Sequence, residues 1–268
     1  MPELAADASS PAREPAEAMP TMGFLDHLEE LRKRIVHSAV AIALGAVACW
    51  NYREAIYNIM QRPVMEALRA NHLPERLVYL NPTEPFNLYL KIAALAGLFL
   101  TSPYVLYQVW LFISPGLYRH EKRYVFPFMF STITLFTLGG YFGYRVAYPR
   151  ALEFLIGFGR QMEPMITIGE YTHLFLSIVI GMGLIFEMPV IVFFLAFMGI
   201  LSPGFMWKNF RYAVLVIFII AGIVTPTPDV FNMCVFASPM LALYALSIGV
   251  AWLVHPDQRR ARQEKQSK

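Results

Sequence analysis

His27-Leu28-Glu29-Glu30-Leu31-Arg32-Lys33-Arg34 runs straight into residues 35–50, IVHSAVAIALGAVACW, and the reading of that junction decides the fold. Two adjacent carboxylates and three cations stop where an apolar stretch begins. Phe24, Leu28, Leu31 and Ile35 recur at helical spacing and form one apolar stripe, with charge over much of the remaining surface. This pattern predicts an amphipathic helix at a membrane interface, leading into a first spanning helix.

Working outward, the chain has 268 residues, 57% hydrophobic and only 15% charged. Soluble domains run at about 45–50% apolar and about 25% charged, so this one belongs in lipid. A spanning helix needs ~20 mostly apolar residues. Six segments are read as spans: residues 35–50, 86–113, 124–148, 171–200, 212–224 and 230–254. They are too long and too uniformly apolar for the alternating strands of a barrel. No fixed-period repeat interrupts them. The expectation is an all-α membrane protein with six transmembrane helices, folded as a single polytopic domain over residues 22–254. Residues 1–21, rich in Ala, Pro and Glu without an apolar core, read as a disordered tail and not a signal peptide. Residues 255–268 read as a basic C-terminal tail.

If both termini are cytoplasmic, the inner segments hold fourteen of the 22 lysines and arginines, which favours an N-in, C-in topology. The second span carries Pro103, where a kink is expected. The outer stretch 51–85 should form short amphipathic helices broken at Pro63 and Pro74. Residues 212–224 reach only about 20 Å as a helix, so this span stops short of the outer surface or thins the bilayer. Cys49 and Cys234 lie in apolar segments and read as small buried hydrophobes. The net charge of +3, with basic residues scattered among loops, does not suggest nucleic acid.

Within that frame a few polar residues stand out. Glu29 and Lys33 are four apart, as are Glu30 and Arg34, so the acids can be local helix-surface partners. They can equally face an incoming cation. Glu121 is a lone acid in Ser114-Pro115-Gly116-Leu117-Tyr118-Arg119-His120-Glu121-Lys122-Arg123, on the same predicted membrane face. Glu187, in Gly183-Leu184-Ile185-Phe186-Glu187-Met188-Pro189, sits near the middle of the fourth span. A charge there costs about 2.5–3.5 kcal/mol on insertion scales, so it should face the bundle interior or a wet cavity, or be protonated. Gln108, Thr132 and Thr134 are candidate partners, and Pro189 frees the carbonyl of Ile185. Asp229 reads as an N-terminal helix residue. Gly139 and Gly143 form a small-xxx-small packing face. No GxxxxGK[ST], HExxH or CxxC is present, and His27 and His37 are not spaced as a metal pair, so no cofactor or metal is expected.

Four blocks in order carry a resemblance: HLEELRKR at 27–34, YQVWLFISPGLYRHEKR at 107–123, FEMPV at 186–190 and TPTPDVF at 225–231. Together with six spans they resemble the TatC family, the polytopic receptor subunit of the twin-arginine protein translocase of the bacterial inner membrane. The resemblance implies that Glu30 and Glu121 bind the two consecutive arginines of a signal peptide on a folded precursor, with Arg32, Phe112 and His27 around them. It implies that Glu187 lies in a concave membrane-facing cavity, and that Pro63 belongs to a functional outer loop. Pro189, Asp229 and the short fifth span fall in regions tied to partner contacts. The implied partners are TatA- and TatB-type single-span subunits, lipid and a second copy of the chain; the implied energy source is the proton-motive force, with no enzymatic step.

Two readings compete with that one. A proton-coupled small-solute transporter would use Glu187 as its proton site, although no repeat supports it. An intramembrane enzyme would need a nucleophile or metal beside Glu187, and none is evident in the sequence.

Overall fold

The computed structural model describes residues 24–113, 125–159, 165–224 and 230–254, and these are almost wholly helical. In chain order the helices are α1 (Phe24–Trp50), α2 (Arg53–Ala70), α3 (Glu84–Ile113), α4 (Val125–Phe142), α5 (Tyr148–Phe158), α6 (Ile168–Phe186), α7 (Met188–Phe197), α8 (Pro203–Lys208), α9 (Phe210–Val224) and α10 (Val230–Val254). A π-helical turn, Gly143–Ala147, joins α4 to α5 without a break. The all-helical expectation holds. The only bridge of strand type among the described residues is an isolated contact, in which Val78 exchanges backbone hydrogen bonds with Ile166 and Ile168.

Four stretches are long and apolar enough to cross a membrane: Leu25–Trp50, Glu84–Phe112, Ile168–Ala196 and Met233–Leu253. α9 is equally apolar but short, as its sequence implied. α1 leaves Val40, Leu44 and Val47 exposed along its length. A contiguous apolar face of that kind belongs against lipid.

Prolines shape the helices by what they remove. Pro103 and Pro239 lie inside α3 and α10 and deprive the carbonyls of Phe99 and Val235 of their usual donors. In both cases the preceding serine supplies a replacement: Ser102 donates to Phe99 O at 2.8 Å and Ser238 to Val235 O at 3.1 Å. Pro63 behaves differently from expectation. α2 runs unbroken through it, ending at Ala70 before Pro74. The carbonyl that Pro63 leaves free, that of Ile59, accepts a hydrogen bond from the Tyr144 hydroxyl at 2.8 Å, so the gap in the helix becomes a tie between α2 and the π-helical turn. That turn itself arises where the Tyr148 N–H reaches back five residues to Gly143, immediately before Pro149.

The main core gathers the buried face of α2 (Met60, Val64, Leu68) against Leu88 and Ile92 of α3, Tyr148 and Leu152 of α5, and Tyr171, Phe175 and Ile178 of α6. α2 is therefore amphipathic, as predicted, and its apolar side caps the bundle. Glycines set the closest approaches. A Cβ on Gly97 would fall 2.4 Å from Ala46 N, and one on Gly45 2.9 Å from Gly97 O, so α1 and α3 touch backbone to backbone. A Cβ on Gly139 would stand 2.5 Å from Met182 O and one on Gly143 3.1 Å from Val179 Cα, which confirms the packing role read for that pair. Cys49 is half-buried, but Cys234 is exposed on α10 and does not fill a core position.

Candidate functional site

The α1–α3 contact builds the first site. His27, Glu30 and Arg34 are spaced three and four apart and share one face of α1. Gln108 and Phe112 are four apart on α3. The antiparallel register fixed at Gly45 and Gly97 brings these two sets together. The His27 and Phe112 rings stack with centroids 4.4 Å apart and planes 18° from parallel. One turn further along α1, Arg34 Nη2 donates to Glu30 Oε1 at 3.0 Å, and Arg34 Nη1 donates to Gln108 Oε1 at 3.2 Å. The Glu30 side chain keeps 15% of its surface exposed and that of Arg34 26%. Glu30 Oε2 and Arg34 Nε are buried and have no hydrogen-bond partner among the described residues. The Glu30 carboxylate thus has one oxygen filled by Arg34 and the other buried without a partner, beside an aromatic stack.

Three of the predicted site residues, His27, Glu30 and Phe112, thus come together. Arg32 lies exposed on the same helix but away from this cluster. Of the two local pairs expected on α1, Glu30–Arg34 forms, whereas Glu29–Lys33 is not among the ion pairs of the described residues. Glu121 and the segment around it lie outside the described residues, as do Asp229 and the turn 225–229. Gln108, a candidate partner for Glu187 by its sequence, accepts a hydrogen bond from Arg34 instead. Its signal was present in the sequence, one turn before Phe112 on an otherwise apolar helix.

Glu187 forms the second site. It is 8% exposed and sits where α6 ends and α7 begins, so the fourth predicted span is one path broken at this residue. The break follows from Pro189 in the first turn of α7, which cannot donate back into α6. Glu187 Oε1 and Thr132 Oγ1 are both buried without hydrogen-bond partners among the described residues. Gly143 meets Val179, Gly139 meets Met182 and Gly183 meets Phe136, and this antiparallel register carries Thr132 to the level of Glu187. Thr134, the other expected partner, instead donates to the carbonyl of Phe130 on its own helix.

A groove of about 260 Å³ opens between α2, α3, α4 and α6, lined by Met60, Phe99, Thr137, Gly140, Tyr144 and Val179 among others. Glu187 does not line it; the acid lies further along α6. Pro63 lies on the buried face of α2, and the carbonyl it frees makes the tie through Ile59 described above. Among the described residues no group of His, Cys, Asp and Glu is arranged to hold a metal ion.

Comparison with known proteins places these features in context. The family model described as Sec-independent protein translocase protein (TatC) matches residues 26–239. The Sec-independent protein translocase protein TatC of Koribacter versatilis is 63% identical over 266 residues, covering 99% of this chain and 98% of that protein. The protein of the same name from Carboxydothermus hydrogenoformans is 40% identical, covering 88% of this chain and 96% of its own length. A crystal structure of the twin arginine translocase receptor TatC superposes with a TM-score of 0.72 at 33% identity, covering 85% of this chain and 99% of that one.

Proposed function

Because this chain belongs to the TatC family of Sec-independent protein translocases, a family of protein transport, we propose that it is the receptor subunit that binds twin-arginine signal peptides. The observation that supports this reading is the Glu30 carboxylate, held at Oε1 by an Arg34 shared with Gln108, close to the His27–Phe112 stack and with Oε2 lacking a partner among the described residues. A guanidinium presents a planar fork of donors that a carboxylate accepts through two oxygens, and an ammonium does not. Glu121 is the second carboxylate, so that two acids read two consecutive arginines; Arg32, exposed on α1 away from the Glu30 cluster, is a further functional position of the same sequence block.

The rest of the reading follows from the family. The chain spans the bacterial inner membrane six times with both termini in the cytoplasm. α4, the π-helical turn and α5 form the third crossing and α9 the fifth. The short α9, with Asp229 after it, is where TatA- and TatB-type single-span subunits dock. Pro63 acts in the outer loop, and Pro189 holds the break that presents Glu187 as an intramembrane polar site in the cavity facing the membrane. Copies of the chain associate within the receptor complex, and folded precursors cross at the expense of the proton-motive force. The family assignment favours protein translocation over the small-solute alternative, in which Glu187 would carry the transported proton.

The test is peptide binding to the purified protein in detergent micelles, read by fluorescence anisotropy. Glu30→Lys and Glu121→Lys should each abolish binding of a twin-arginine signal peptide, while a twin-lysine peptide binds poorly to the unaltered chain. Unchanged binding by either variant would remove that residue from the site.

A further inference from the structure

The groove beneath α2 is apolar along its length and charged at one end. Its walls include Ile59 of α2, Phe99 of α3 and Tyr141 of α4, and no charged side chain lines its volume of about 260 Å³. Ile59 and Tyr141 are 50% and 60% exposed, so the groove opens to the outside of the bundle and not into the core. It lies toward the other end of α3 from Gln108 and Phe112, apart from the Glu30 cluster. The Tyr144 hydroxyl, donating to Ile59 O at 2.8 Å, joins two of its walls. Arg62 and Arg145 both act electrostatically on that hydroxyl, and so does Glu66. Arg62 stands one turn beyond Ile59 on α2, and Arg145 four residues after Tyr141 on the facing wall. Both arginines are exposed, and neither is in an ion pair among the described residues. Arg69, the next cation along α2, is held by Glu75. Glu66 therefore offsets one of the two guanidinium charges and leaves the other uncompensated at the mouth of the groove.

We propose that this groove is a site for an anionic phospholipid, with an acyl chain laid under α2 and the phosphodiester held between Arg62 and Arg145. An acyl chain brings no hydrogen-bonding group that the apolar walls would leave unsatisfied. Guanidinium groups bind phosphate through charge-assisted and often bidentate hydrogen bonds. An arginine can lay its stem along apolar surface and keep its head at the interface, where the phosphates lie. Basic pockets between spanning helices recognise phospholipid headgroups by the same means. The single negative charge of a phosphodiester balances the uncompensated guanidinium. A zwitterionic headgroup adds its own cation beside the two arginines and loses that balance. The bound phosphate joins α2 to the π-helical turn across the gap that the Tyr144–Ile59 hydrogen bond already spans. The lipid thus acts as a second tie that holds the amphipathic α2 on the bundle.

The experiment adds phosphatidylglycerol or phosphatidylcholine of the same chain length to the full chain in detergent micelles. Native mass spectrometry reads the bound lipid, thermal unfolding reads the stability, and gel filtration checks that each variant folds. The unaltered chain should hold phosphatidylglycerol about tenfold more tightly than phosphatidylcholine, with a rise in melting temperature. Arg62→Gln combined with Arg145→Gln should bring the two lipids within about twofold of each other and abolish that rise. Arg150→Gln removes an exposed arginine that is paired with Glu153 and does not line the groove, and it should leave the preference unchanged. Ala96→Phe fills the groove from the α3 wall and should weaken both lipids. If that variant does not fold, Thr137→Phe fills it from an exposed position on α4. A preference for phosphatidylglycerol that survives the double arginine variant would overturn the proposal. So would an equal loss of preference in Arg150→Gln, or undiminished binding of both lipids in the groove-filling variant.

Discussion

Glu187 and Thr132 each hold a buried oxygen without a partner among the described residues, and the antiparallel register of α4 and α6 sets the two side chains level. Removing a buried charge need not destabilise a bundle, and an unpartnered hydroxyl contributes little to stability. Glu187→Gln is therefore expected to accumulate in the membrane at the normal level yet fail in export of a folded reporter. Thr132→Val should change stability by less than about 1 kcal/mol. Failure of Glu187→Gln to accumulate, seen by immunoblot, would assign the acid a structural role. Outside the membrane, the Arg69 guanidinium hydrogen-bonded to Glu75 lowers the pKa of that carboxyl. A depressed carboxyl pKa contributes stability above the ordinary carboxylate range and loses it as pH falls and Glu75 protonates. Arg69→Ala should return the Glu75 titration, followed by NMR, toward the ordinary value.

At the scale of helices, the fold depends on how each element handles a missing donor or a missing side chain. Ser102 and Ser238 repair the carbonyls that Pro103 and Pro239 leave open, and Tyr144 repairs the one left by Pro63. The Ser-Pro pairs were legible in the sequence because donor and gap lie within one turn. The Tyr144 tie was not, because its partner is 85 residues away. The sequence accordingly suggested a break at Pro63, where the structure has a continuous helix. Ser102→Ala should cost about 1 kcal/mol in thermal unfolding of the detergent-solubilised protein. Gly97→Val should cost more, about 1–3 kcal/mol or a failure to assemble, because a Cβ there meets the backbone of α1 and cannot be relieved by a rotamer change. Since that contact also sets the register of Arg34 on Gln108, the same variant should weaken twin-arginine peptide binding.

For the molecule as a whole, the charge bias and the exposed apolar length of α1 bear on how the bundle sits in lipid. With Cys49 and Cys234 replaced by alanine, a cysteine at Lys33 should react with an impermeant maleimide only after cells are permeabilised, and one at Arg69 should react in intact cells. Labelling in the reverse order would invert the topology. Composition and apolar run length determined by themselves that this chain is a helical membrane protein, because the cost of unsatisfied backbone in hydrocarbon leaves few alternatives. Four ordered motifs, and Glu30 and Glu187 among the polar residues, were likewise readable in one dimension. Only the tertiary structure decided which atoms meet. It assigned Gln108 to Arg34 and not to Glu187, joined His27 to Phe112, and left one oxygen of Glu30 buried without a partner among the described residues. Those outcomes depend on the register of α1 against α3, which two glycines fix by backbone contact, and a register between distant segments is not encoded in any local period of the sequence.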